Sequence, residues 1–140
     1  MLSTARAYII IMLEIGIKHT KSEIVCEKNT AAALGSGLLP VYATPAMIAL
    51  LEGTCAEAVA AELEDGSTTV GTKLDVEHIA ATPLGMEVRC ECELTEIDRR
   101  RLVFCVEIFD KAGMIGRGTH ERFIVAAEKF MAKTNEKSKL

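Results

Sequence analysis

One long, almost uncharged helix followed by some fifty residues of strict alternation constrains this chain more than anything else in it. Residues 45–63 carry only Glu52, Glu57 and Glu62 as charges, among Ala, Leu, Ile, Met and Val. Thr44 suits an N-cap and Pro45 a first helical turn, while Glu64-Asp65-Gly66-Ser67 supplies the stop. A helix that is apolar nearly all round predicts burial on most sides.

Beyond that stop the chain has period two. Val70, Thr72, Leu74, Val76 and His78 share one face, against Lys73, Asp75 and Glu77 on the other. Met86, Val88, Cys90, Cys92 and Leu94 make a second apolar row, Leu102, Phe104, Val106 and Ile108 a third, and residues 115–127 a last long strand. Turn chemistry at Thr82-Pro83-Leu84-Gly85, Asp98-Arg99-Arg100 and Asp110-Lys111-Ala112-Gly113 predicts an antiparallel meander. Upstream, residues 18–26 read as a first, rather polar strand, residues 29–34 as one helical turn, and Gly35-Ser36-Gly37 as a hinge. One greasy helix and one long sheet have a single packing solution, in which the sheet curls around the helix. That is the hotdog architecture, of the α+β class. A lone domain of this kind leaves a sheet edge and part of the helix uncovered, so a homodimer with a continuous sheet is expected.

The chain has 140 residues, a single-domain length. Residues 13–133 read as one domain, residues 1–12 as an N-terminal extension with Met12 as an alternative start, and residues 134–140 as a polar tail. A net charge of −4 gives nucleic-acid binding no support. An anionic ligand such as coenzyme A needs a local basic patch, and Arg99-Arg100-Arg101 and the lysines of residues 133–139 are the available ones; a solvated turn and tail is the favoured reading of both. The apolar run at residues 7–13 is too short to span a bilayer and lacks a signal-peptide cleavage site, so no membrane partner is expected. Five cysteines, an odd count without C-x-x-C spacing, read as reduced, buried and structural, with no metal or cofactor and a cytoplasmic location expected.

Against this background four polar positions stand out: Thr44, Glu52, His78 and Arg122. Glu52 has Ile48, Ala49, Cys55 and Ala56 as its helical neighbours, so it must either find a partner or shift its pKa. His78 falls on the inward face of its strand, where a core histidine bonded to a carbonyl is an equally good reading. Arg122 shares a face with His120, Ile124 and Ala126, and a salt bridge to a neighbouring strand would account for it. Gly116 and Gly118 within one strand predict a bulge or a close approach of ligand or backbone.

Several blocks, kept in order, make the reading specific. They are Val41-Tyr42-Ala43-Thr44, Leu51-Glu52 with Cys55 after it, Val70-Gly71-Thr72, Val76 with His78, Ala80-Ala81-Thr82-Pro83, Ile115-Gly116 through Gly118-Thr119-His120-Glu121-Arg122, and Glu128-Lys129-Phe130. Over about residues 13–133 the chain resembles the fluoroacetyl-coenzyme A thioesterase family of hotdog proteins. The resemblance implies hydrolysis of a short acyl-coenzyme A thioester, with Thr44, Glu52 and His78 catalytic and Gly71 and Arg122 at the acyl end of the substrate. His78 would be the base, Glu52 would orient it or attack, and amides at the helix start would meet the oxyanion. Two departures concern selectivity. The family's phenylalanine-bearing lid segment is here Gly35-Ser36-Gly37-Leu38-Leu39, and its Thr-Gly is Thr44-Pro45, so fluorine discrimination is not expected.

Two other classes compete. A non-catalytic module that binds acyl ligands would fit the missing lid. A dehydratase would need an aspartate–histidine pair, whereas Asp75 lies on the opposite strand face from His78. The spacing of Thr44 and Glu52 also raises a geometric conflict. Eight helical residues separate them by about 12 Å. Either the regular helix begins near Met47, or the constellation assembles across the dimer, and the second is preferred.

Overall fold

The computed structural model describes residues 13–140; the N-terminal extension and alternative start fall outside the described residues. Its strands are β1 (Lys18–Ile24), β2 (Ser67–His78), β3 (Glu87–Asp98), β4 (Arg101–Asp110) and β5 (Gly113–Ala126), and its α-helices are α1 (Ala31–Leu34), α2 (Thr44–Ala60) and α3 (Ala127–Asn135). All five strands pair antiparallel in the order β1-β3-β4-β5-β2, wrapped about α2. This is the expected hotdog arrangement, α+β with one central helix.

The apolar rows read from the sequence are the core. Val88, Cys90, Cys92 and Leu94 of β3 and Leu102, Phe104, Val106 and Ile108 of β4 are all buried against Met47, Leu50, Leu51, Cys55 and Val59 of α2. Burying that much apolar surface at about 25 cal/mol per Å² is the main stabilising term. The helix ends three residues sooner than the pattern predicts. It is also buried on one side only, since Ala46, Met47, Leu50, Leu51, Thr54, Cys55 and Val59 face the sheet while Ala49 and Ala60 are exposed. A five-stranded sheet can cover only one side of a helix, and hydropathy cannot say which side that is.

Other expectations need correction. The meander holds for β3-β4-β5, but β2 lies at the opposite edge from β1, beside β5. Residues 79–86 therefore form a crossing rather than a hairpin, tied down by Tyr42 N to Thr82 O (2.9 Å), a bridge between Val41 and Pro83, and Thr82 Oγ1 to Asp110 (2.8 Å). Within β2 the register slips between Gly71 and Lys73, making Thr72 the extra residue of a β-bulge. A bulge switches the face: Thr69 is buried, and Gly71 faces α2, as do Val76 and His78 beyond the slip. Val70 and Thr72 therefore do not share a face with His78, contrary to strict alternation. Cys26 and Cys105 are exposed rather than buried, the latter because it has the outward phase of β4, and all five cysteines are free. A helix, α3, continues directly from β5 and runs on into a 3-10 turn at Glu136–Lys139, where the sequence pattern predicts no helix and then a polar tail. No helix among the described residues is long and apolar enough to cross a membrane.

Candidate active site

Two polar clusters lie along α2, one at its start and one two turns on. At the start, Ala43 is the N-cap and makes no side-chain cap, so Thr44 is the first helical residue and not the cap expected of it. Its hydroxyl is thereby released to meet His78 at the end of β2, with Thr44 Oγ1 2.8 Å from His78 Nδ1. The Tyr42 ring stands edge-on to the imidazole, centroids 6.4 Å apart. Burial lowers the His78 pKa, and the Ala80 backbone offsets part of that shift. The ring is therefore neutral at pH 7 and able to accept a proton. Nε2 of His78 is buried without a partner of hydrogen-bonding geometry among the described residues.

The second cluster contains Glu52, Arg122, Gly71 and two residues that sequence reasoning does not select, His120 and Thr69. Arg122, 8% exposed at its side chain, lies 3.5 Å through Nη1 from Glu52 Oε2. Its Nε donates to Thr69 Oγ1 (2.7 Å), its Nη2 to the Thr69 carbonyl (2.9 Å), and its Nη1 to His120 Nε2 (3.1 Å). Burial lowers its pKa, opposed by Glu52, and it remains a cation. Glu52 thus meets its expected need by pairing rather than by deep burial, its side chain being 38% exposed. The acidic partner of Arg122 is on the helix, not on a neighbouring strand as the alternative expectation had it, while the neighbouring strand β2 supplies Thr69 as a hydrogen-bond acceptor.

Gly71 sits opposite Arg122 in the β2–β5 register. A Cβ there would collide with Glu52 Oε2 and come within 3.2 Å of His120 Cε1 and 3.3 Å of Arg122 Nη1. Only a residue without a side chain lets the carboxylate, imidazole and guanidinium converge. Gly118 answers to the close-approach reading: at φ 155° its added Cβ would strike Asp75 O and Val76 of β2. A signal for His120 existed, because it lies two residues before Arg122 on the same strand face; Thr69 had none, since the bulge hides its phase.

The structure separates the residues into the pairs Thr44–His78 and Glu52–Arg122, with Gly71 and His120 in the second. Because α2 is regular from Thr44 onward, the alternative in which the helix begins near Met47 is excluded. Of the basic patches, Arg101 is committed to Glu121 (2.7 Å) and Glu96 (2.5 Å), while Arg99 and Arg100 form the β3–β4 turn.

Residues 25–128 match the fluoroacetyl-CoA-specific thioesterase family. The chain belongs to this family. Among its relatives, the fluoroacetyl-CoA thioesterase of Streptantibioticus cattleyicolor is 43% identical over 98 residues, 70% of each chain. A crystal structure of the fluoroacetyl-CoA thioesterase superposes with a TM-score of 0.85 at 36% identity, covering 89% of this chain and 97% of that one. A thioesterase superfamily member from Thermus thermophilus gives 0.83 at 25% identity, over 90% and 93% of the two chains. Membership makes the chain a thioester hydrolase of the acyl-CoA thioesterase superfamily, and no finding favours the non-catalytic binding module.

Proposed function

We propose that the protein hydrolyses a short acyl-coenzyme A thioester, with Thr44, Glu52 and His78 as catalytic residues and Gly71 and Arg122 at the acyl group. The observation that carries this reading is the 2.8 Å contact between the Thr44 hydroxyl and the Nδ1 of a neutral His78. A hydroxyl beside an unprotonated imidazole is an activated nucleophile. Thr44 Oγ attacks the thioester carbonyl carbon as its proton passes to His78. Collapse of the tetrahedral intermediate breaks the C–S bond, and the proton leaves with the thiol. Water then enters by the same base to release the acid. Amides of the first turn of α2, less that of Pro45, which has none, face the developing oxyanion at the positive end of the helix dipole.

Glu52, with Arg122 beside it, lies about 12 Å along the helix from Thr44, too far to act on the same carbonyl within one chain. A second copy of the chain supplies them. The uncovered side of α2 at Ala49 and Ala60, and a β2 edge strand that has a partner on one side only, support a homodimer whose active sites lie at the interface. Fluorine selectivity is absent from this reading, because Leu38 and Leu39, in the segment that bears the family's aromatic lid, are 95% and 65% exposed. Five free cysteines suit a reducing compartment, and we place the protein in the cytoplasm.

The test is a panel of short acyl-coenzyme A thioesters with free thiol as the readout. The wild-type protein releases thiol, His78→Ala lowers kcat by about 10²-fold or more, and fluoroacetyl and acetyl thioesters differ little in kcat/KM. A wild-type protein inert on every member of the panel refutes the reading.

A further inference from the structure

Arg122 makes its bonds to unusual partners. A guanidinium has five N–H donors and no acceptor. Three of these donors go to Thr69 and to the His120 ring, and only a longer 3.5 Å approach reaches the Glu52 carboxylate. The nearest partners assign the state of His120, the Glu52 carboxylate lying farther off at 4.0 Å from Nε2. Its Nδ1 is 2.8 Å from the Lys73 carbonyl, which can only accept, so Nδ1 carries the proton. Its Nε2 is 3.1 Å from Arg122 Nη1, which can only donate, so Nε2 carries the lone pair. The ring is 1% exposed, and burial lowers its pKa, in keeping with a neutral imidazole.

We infer that His120 is a positioning residue, holding the Arg122 guanidinium at the acyl-binding face through the Nε2 lone pair of its neutral Nδ1–H tautomer. The inference rests on the reading of Arg122 as an acyl-binding residue. A neutral acceptor orients the guanidinium without cancelling its charge, which a second carboxylate in the same place would do. The anchor of the ring is the Lys73 carbonyl, the first one after the bulge at Thr72. The bulge thus has a use beyond changing the face of β2: it presents a backbone acceptor that sets the imidazole. Gly71 makes room for the same assembly, since its Cβ would lie 3.2 Å from His120 Cε1.

Two substitutions separate the two bonds of the ring. In His120→Asn the amide nitrogen takes the place of Nδ1 and keeps the Lys73 bond, but nothing accepts from Arg122. In His120→Gln the amide oxygen takes the place of Nε2 and accepts from Arg122, while the Lys73 bond is lost. The Asn variant is expected to lose about 10- to 100-fold in kcat/KM on the acyl-coenzyme A panel, the scale of one hydrogen bond to a charged group, and the Gln variant to recover most of it. The reverse order, with Asn active and Gln impaired, overturns the inference and makes His120 a mere anchor of the bulge. Wild-type protein inert on the panel refutes the hydrolase reading instead, so the two failures are distinct. Ring ¹⁵N spectra of the wild-type protein test the tautomer whether or not the variants fold: an unprotonated Nε2 is expected, and a protonated one overturns the inference.

Discussion

Glu52 shows how a residue's role depends on what faces it. From its helical neighbours alone it reads as a desolvated carboxylate. In the fold it is partly solvated and paired with a buried cation, so its removal acts mainly through Arg122. Glu52→Gln is expected to lower turnover by about 10²-fold or more, at a stability cost of about 1 kcal/mol or less, the scale of a half-exposed ion pair. Melting curves and kcat on that one variant check both numbers, and near-normal turnover in a folded variant removes Glu52 from the mechanism. The histidines give a pH signature. Burial depresses the pKa of both His78 and His120, so the unfolded chain takes up protons first as pH falls. Stability is then full above the ordinary histidine value of about 6.5 and declines as pH falls below it. With His78 as the proposed base, the acid limb of kcat/KM is expected to lie lower than that value, because the imidazole stays neutral to a lower pH. Melting temperatures and pH–rate profiles between about pH 5 and about pH 8 test both signs.

At the scale of elements, β2 and β5 depend on a glycine for their closeness. Gly118 lies with a positive φ against the Asp75 carbonyl and Val76, and any side chain forces the strands apart near the His78 end of their pairing. Gly118→Ala is expected to cost about 2 kcal/mol or more, by overpacking and backbone strain together. A denaturant midpoint unchanged from wild type refutes this. The bulge at Thr72 was not legible in the sequence, because Val70-Gly71-Thr72-Lys73-Leu74 continues the alternation without a break. An extra residue in one strand becomes visible only when the partner strand is known. The order of β2 in the sheet was hidden for the same reason: Thr82-Pro83-Leu84-Gly85 has good turn chemistry whether it closes a hairpin or turns within a crossing.

For the whole molecule, the uncovered side of α2 is decisive. Ala49 is exposed on a helix whose opposite side is fully buried, which is the pattern of an element awaiting a second layer. Light scattering at micromolar concentration is expected to give twice the 15.2 kDa of one chain. Ala49→Glu is expected to yield folded monomer and, because the Thr44–His78 and Glu52–Arg122 pairs then never meet, to abolish turnover. An active monomer contradicts the shared site.

By itself the sequence determined the fold class, the core rows of β3 and β4, and the family. Each of these comes from periodicity, or from short motifs, that local order along the chain preserves. The tertiary structure alone decided which side of α2 is covered, which edge β2 occupies, and which polar residues pair. Thr44 reads as an N-cap but is the first helical residue and bonds His78; the acid that pairs with Arg122 is on the helix, where the alternative reading put it on a strand. Such pairings join residues 34 and 70 positions apart, and their distance is set by the packing of helix on sheet, which no spacing along the chain records.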